Sequence, residues 1–155
     1  MARVLVTLDG TDESVHAAQA AVALFGPDHE YLVVNVAAPA VSWPEGVTYG
    51  GVFPMSGDEW DVLTRSVDTG AHEKAEHAAA EAGIEPAEII VEHGDPVAAV
   101  CAAADDHDVD VIVVGPHKKG WFARMVEPSL SHTLVRRTSR PVLLVGPEDH
   151  GHRDD

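Results

Sequence analysis

Two short apolar runs in the C-terminal third constrain the fold of this chain more than any other feature. Residues 111–114 read Val-Ile-Val-Val, and residues 142–145 read Val-Leu-Leu-Val. Continuous apolar runs of this length are typical of strands buried on both faces of a parallel sheet. Between them, Pro128-Ser129 indicates a helix start, since a serine hydroxyl can accept from the free N–H groups of a first turn. Arg136 and Arg137 fall near the end of that helix, where positive charge suits the helix dipole.

The rest of the chain continues this alternation of strand and helix. Further strands are predicted over residues 3–8, 31–36 and 87–92, and a long helix over residues 58–82. A first helix should be capped by Thr11 or Asp12, carry Val15, Ala18, Val22 and Phe25 at helical spacing, and stop at Gly26-Pro27. Asp95 as N-cap and Pro96 at the first helical position predict another helix. The pattern β-α-β-α-β-α-β-α-β implies an α/β fold, a parallel sheet with helices on both faces.

At 155 residues, the chain is most simply one domain. We place that domain at residues 1–147 and expect the acidic, histidine-containing tail, residues 148–155, to be disordered. Residues 37–57 are rich in proline and glycine, which forbids a long helix or a central strand. A lid over a site is one interpretation of this segment, and a dimer contact or packing of its aromatic residues is the other.

Charge excludes some classes of partner. The chain carries 26 acidic and 10 basic side chains, a net charge of -16, which argues against nucleic acid and anionic membranes. This balance is also similar to that of proteins from salt-loving microbes. The single cysteine, Cys101, permits no intrachain disulfide, and it is either a small core residue or a reactive thiol. No signal peptide or membrane-spanning run is apparent, so we expect a cytoplasmic protein.

The C-terminal stretch also carries a family resemblance. The segments DVIVVG and PSLSHTLVRRTSRPVLLV resemble the universal stress protein family. Members that bind nucleotide carry Gly-x2-Gly-x9-Gly-Ser/Thr here, and this motif cradles the phosphates of ATP. Gly115 and Ser129 match the first and last positions, whereas Lys118 and Pro128 replace the two intervening glycines.

The resemblance implies a Rossmann-like fold with strand order 3-2-1-4-5, similar to that of the adenine nucleotide alpha hydrolases. In that order, the reversal between strands 1 and 4 opens a crevice at their C-terminal ends, where Asp9 and Gly115 lie. The segment VLVTLDGTDES resembles the family's first strand, whose final acidic residue contacts the adenosine part of the nucleotide. The resemblance thus implies a site for ATP or another adenine nucleotide, formed by Thr7, Leu8, Asp9, Val36, Val114, Gly115, Lys118, Ser129, Leu130 and Ser131. It also implies a homodimer through the last strand, residues 142–145, which a monomer would leave as an exposed apolar edge.

Six of the ten basic residues fall within one segment, residues 118–140: Lys118, Lys119, Arg124, Arg136, Arg137 and Arg140. Such a cluster creates a local positive field on an otherwise negatively charged protein, and this field can bind an anion. It can equally meet an acidic surface of a partner protein, and the arginines can simply suit a helix C-terminus.

Catalysis has little support in the sequence. The chain has no Walker motif for phosphate binding. It also has no nucleophile elbow that could begin a Ser-His-Asp catalytic triad. His150 and His152 could bind a metal ion, but a frayed tail is the simpler interpretation. We therefore expect a stress-response protein that acts by binding a nucleotide rather than by turnover. The alternative is an interaction module that binds no nucleotide and works through an unidentified protein partner.

Overall fold

The structure is a computed structural model that describes residues 1–37, 57–115 and 128–146. Predictions made for residues 38–56, 116–127 and 147–155 lie outside these ranges. The elements are β1 (Arg3–Thr7), α1 (Asp12–Phe25), β2 (Glu30–Ala37), α2 (Gly57–Ala82), β3 (Glu88–His93), α3 (Pro96–Asp106), β4 (Val111–Val114), α4 (Pro128–Arg137) and β5 (Val142–Leu144). Predicted and observed bounds of the strands and of α2 agree within one residue.

The strands form one parallel sheet with the order β3-β2-β1-β4-β5, as predicted. β1 lies at the centre, where Val6 is in register with Val33 of β2 and with Val113 of β4. The chain therefore moves outwards from β1 to β3 and then returns to β4 on the other side. This return places the ends of β1 and β4 side by side at the reversal of the strand order.

Two hydrophobic cores cover the two faces of the sheet. On β1, Val4 and Val6 pack into the core formed with α1 and α2, whereas Leu5 packs into the core formed with α3 and α4. All three side chains are fully buried. Apolar residues at every position of a central strand are expected when helices cover both faces.

The ends of α1 follow from its sequence. Thr11 is the N-cap, and its side chain accepts a hydrogen bond from the Ser14 N–H, while Gly26 ends the helix with φ of 87°. The buried residues are Ser14, Val15, Ala17, Ala18 and Ala21. Phe25 follows the predicted helical spacing within α1, yet its side chain is 36% exposed. It occupies the last position of α1, where the helix stops at Gly26.

Short side chains let α2 and α3 pack closely on the sheet. The core shared by α1 and α2 contains three buried alanines of α2: Ala75, Ala78 and Ala79. On α3, Asp95 is the N-cap and accepts from the Ala98 N–H at 3.0 Å, as predicted. Cys101 is half-buried against the α3 and α4 core, and this burial raises the pKa of its thiol. The raised pKa favours the interpretation of Cys101 as a small core residue, since the thiolate is the reactive form.

Candidate functional site

The candidate site is the crevice at the C-terminal ends of β1 and β4. Thr7 ends β1, and its hydroxyl donates to the Val113 carbonyl of β4 at 3.3 Å, which joins the two strand ends. Asp9 follows β1, and Gly115 follows β4. The structure therefore brings together the two residues that the sequence placed at this reversal of strand order. A crevice of this kind is where open α/β sheets bind their ligands.

Asp9 organises the turn between β1 and α1. Its Oδ1 accepts hydrogen bonds from the backbone N–H of Thr11 at 3.0 Å and from the Thr11 hydroxyl at 2.6 Å. Gly10, between them, has φ of 84°, a left-handed conformation that glycine adopts without steric cost. The Asp9 side chain is half-buried. The turn role of Asp9 is thus present in the structure, and it orients the carboxylate at the mouth of the crevice.

Gly115 is required by packing against α1. A Cβ at this position would lie 2.6 Å from the Cβ of Ala17 and 3.1 Å from the carbonyl oxygen of Glu13. Real Cβ atoms essentially never approach another atom more closely than 3.0 Å. The absence of a side chain therefore lets the end of β4 approach the first turns of α1. This reason for glycine is independent of any phosphate.

Three of the predicted binding residues have side chains that point into the cores. Leu8 is fully buried on the α1 and α2 side, and Val36 and Val114 are buried on the α3 and α4 side. The backbone N–H of Leu8 donates to the Val34 carbonyl at 3.0 Å. Any contact that these residues make with a ligand must come from the remaining backbone groups.

The helix that follows the phosphate loop of the family begins where the sequence predicted. α4 starts at Pro128, and the predicted phosphate ligands Ser129, Leu130 and Ser131 occupy its first turn. Proline suits the first helical position because its missing N–H would have no partner within the helix. Lys118 lies outside the described residues, and so do the side chains of Ser129, Leu130 and Ser131.

Among the clustered basic residues that the structure describes, Arg137 and Arg140 form ion pairs with the protein itself. Arg137 lies 3.4 Å from Asp95. Arg140 contacts the carboxylates of Asp105 at 3.3 Å and Asp108 at 3.2 Å, and it donates to the Val109 carbonyl. Because Arg140 precedes β5 and Val109 precedes β4, this contact lies at the N-terminal edge of the sheet, opposite the crevice. The predicted positive field is therefore smaller at the site than a count along the sequence indicates.

Sequence reasoning missed a contribution from α2. Lys74 of α2 lies against Gly10: its Cβ, Cγ and Cδ are 3.5, 3.9 and 4.0 Å from the position that a Cβ on Gly10 would occupy. Asn35 of β2 is 5% exposed, and its amide donates to the Ala71 carbonyl of α2 at 3.0 Å. Asn35 interrupts the apolar run of residues 32–37, and this interruption could have marked it. No local signal marks Lys74, because its contact with Gly10 arises only in the folded chain.

The described part of the chain contains neither a cluster of metal-binding side chains nor a helix that could span a membrane. Within residues 1–37, 57–115 and 128–146, no group of three or more histidine, cysteine or acidic side chains could hold a metal ion. None of the helices described there is long and apolar enough to cross a membrane. The predicted tail with His150 and His152 lies beyond these residues.

Comparison with known proteins gives one consistent result. The profile described as "Universal stress protein family" matches residues 1–146. The chain is 30% identical over 147 residues to universal stress protein YxiE of Bacillus subtilis strain 168, covering 92% of this chain and 97% of that protein.

Solved structures share the fold. A universal stress protein in complex with cAMP matches with a TM-score of 0.60 and 21% identity, covering 93% of this chain and 96% of that one. The Arabidopsis thaliana protein At3g01520, with AMP bound, matches with a TM-score of 0.58 and 17% identity, covering 99% and 98%. Sequence profile, relative and fold agree over nearly the whole chain, which therefore belongs to the universal stress protein family.

Proposed function

We propose that this protein binds an adenine nucleotide in the crevice between β1 and β4 and acts as a regulatory binding protein in a stress response. The observation that carries the proposal is the position of Asp9 and Gly115 at the adjoining ends of β1 and β4, where the strand order reverses. Solved relatives of the same fold hold cAMP and AMP, which supports this class of ligand.

Each part of the nucleotide has a proposed place. Asp9 faces the adenosine part, together with the backbone at Thr7, Leu8 and the end of β2 near Val36. The phosphates face Gly115, Lys118 and the first turn of α4. A helix N-terminus suits this role, because its free N–H groups and its dipole both attract anions. We further propose that the cell uses the bound state itself as the signal and that nucleotide turnover is not the function.

Calorimetry with ATP, ADP and AMP tests this proposal, on protein purified in multimolar salt and checked for co-purified small molecules after denaturation. Asp9→Asn is the informative variant, because the amide oxygen can still accept from Thr11 while the negative charge is lost. We expect nucleotide affinity to fall about tenfold when a hydrogen bond to a charged group is lost. A protein that neither retains nor binds any adenine nucleotide would refute the proposal.

The second candidate is an interaction module that binds no nucleotide. The observation that favours it is the replacement of two motif glycines by Lys118 and Pro128, since the close approach of bare backbone to a phosphate is lost there. Lys118→Glu separates the two candidates. An anion site should lose about tenfold in affinity or more, whereas the interaction module predicts no effect on any nucleotide.

We also propose a homodimer through β5. β5 is an edge strand of the sheet, and Leu144 is 51% exposed, with Val142 and Leu143 half-buried. An exposed apolar edge strand tends to pair with another chain. Light scattering at micromolar concentration and high salt should give the mass of two chains, and a monomer would refute this part of the proposal. We place this dimer in the cytoplasm.

A further inference from the structure

We propose that Lys74 of α2 is part of the nucleotide site, where its ammonium group contacts the phosphate next to the adenosine part, which AMP and ATP share. This inference rests on the function proposed above and adds a residue that lies outside the family motif. The inference is based on the contact between the aliphatic part of the Lys74 side chain and Gly10, the residue that follows Asp9. The Lys74 side chain is exposed, so its ammonium is free to reach from this turn towards a ligand.

The position of Lys74 is fixed by its neighbours on α2. Ala71 is 8% exposed and Ala75 is fully buried, so the residues on either side of Lys74 are anchored in the core. The buried Asn35 amide donates to the Ala71 carbonyl and ties this turn of α2 to β2. The backbone of α2 is therefore fixed here, which keeps the Lys74 side chain beside the β1–α1 turn.

Charge around the turn explains why a cation is needed there. Asp9, Asp12 and Glu13 place three carboxylates within five residues of the β1–α1 connection. A phosphate that approached these groups alone would be repelled, since like charges a few ångströms apart disfavour each other even in water. Among the side chains that the structure describes, no carboxylate forms an ion pair with Lys74. Within the described residues, the positive charge of Lys74 can therefore offset the acidic turn.

This placement predicts how the protein distinguishes adenine compounds. AMP and ATP carry the anionic groups that Lys74 can contact, whereas adenosine carries none. Because the ammonium is exposed, the contact should be moderate and should weaken as salt screens it. We expect Lys74→Gln to weaken AMP and ATP binding about threefold to tenfold in low salt and to leave adenosine binding unchanged.

Calorimetry in 0.1 M and in 2 M salt, with adenosine, AMP, ATP and tripolyphosphate as probes, tests the assignment. Arg65→Gln is the matched control, since Arg65 is exposed, lies on the same helix and carries the same charge. Lys74→Arg should restore most of the affinity. A loss for AMP that shrinks in 2 M salt and is absent in Arg65→Gln would support the contact.

Three outcomes would overturn the assignment. If Lys74→Gln and Arg65→Gln both stay within about twofold of the unaltered protein for AMP, Lys74 makes no contact, while the proposed function stands. If Lys74→Gln weakens adenosine as much as AMP, the residue only supports the fold. If the unaltered protein binds no adenine compound, the proposed function fails, and binding of tripolyphosphate then tests Lys74 separately. The contact is overturned if the unaltered protein does not bind tripolyphosphate. It is also overturned if Lys74→Gln and Arg65→Gln bind tripolyphosphate equally well.

Discussion

Replacement of Gly115 by alanine tests the closest contact in the candidate site. The new Cβ would lie 2.6 Å from the Ala17 Cβ and 3.1 Å from the Glu13 carbonyl oxygen. Carbon atoms in favourable contact are about 3.5–4.0 Å apart, so the end of β4 and α1 must separate by about 1 Å. Neither neighbouring atom is the end of a flexible side chain, and Ala17 is fully buried. Overpacking of this kind costs about 1–3 kcal/mol.

Urea denaturation followed by circular dichroism measures this cost as a change in the free energy of unfolding with an unchanged slope. Gly146→Ala is the matched control, because a Cβ there would meet no atom of the described residues within 4 Å. Neither glycine has a positive φ, so alanine adds no backbone strain at either position. Gly146→Ala should stay within about 0.5 kcal/mol of the unaltered protein.

A second variant identifies the cause of the loss. Ala17→Gly removes the methyl group that the new Cβ would meet, although glycine inside a helix costs about 1 kcal/mol by itself. If the clash is the cause, the double variant Ala17→Gly, Gly115→Ala should be more stable than the sum of the single losses by about 1–2 kcal/mol. Additive losses, or a Gly115→Ala variant as stable as the Gly146→Ala control, would refute the packing explanation.

Three further substitutions test other parts of the fold. Gly70→Ala should raise the free energy of unfolding by about 0.5–1 kcal/mol, because Gly70 lies inside α2 and a Cβ there would meet no atom within 4 Å in the described part of the chain. No gain in urea denaturation would contradict this. Asn35→Asp should lower stability at pH 7 by about 2–4 kcal/mol, since a buried carboxylate would face the Ala71 carbonyl. Burial raises the pKa of such a carboxyl in the folded state, so the deficit should grow with pH above about 4 and be small below it; a deficit independent of pH would contradict this cause. Arg140→Ala should cost about 1–2 kcal/mol in low salt, and less in high salt, because Arg140 contacts Asp105, Asp108 and the Val109 carbonyl; equal losses at both salt concentrations would point to lost packing instead.

The fold was predictable because its determinants are local. Each buried strand is a short apolar run. The helices α1 and α3 begin at capping residues, Thr11 and Asp95, that the sequence shows directly. The alternation of strands and helices then implies a parallel sheet. Phe25 shows where local periodicity fails: spacing alone places it on the apolar face, but α1 ends at the next residue and Phe25 stays partly exposed.

The candidate site was predictable only in part. The adjacency of Asp9 and Gly115 follows from topology, and the structure confirms it. The contacts of Lys74 with Gly10 and of Arg140 with Asp105 depend instead on how helices pack across the sheet. Arg140 is near the motif in sequence, yet it lies at the opposite edge of the sheet, whereas Lys74 is far from Gly10 in sequence and adjoins it in space. Distance along the chain is thus a poor guide to which charges lie together in the folded protein.

Gly115 illustrates why a matched motif residue is weak evidence for binding. The family motif gives it a role beside a phosphate, and the structure gives it a role against Ala17 and the Glu13 carbonyl. Either role alone would favour glycine here, so its presence cannot distinguish a working site from one that has lost its ligand. The double variant Ala17→Gly, Gly115→Ala can do so when it is assayed for AMP binding. If packing is the only role, affinity should recover together with stability. If the backbone at Gly115 also approaches a phosphate, stability should recover while affinity stays low, because the added methyl group still stands between the phosphate and the backbone N–H groups.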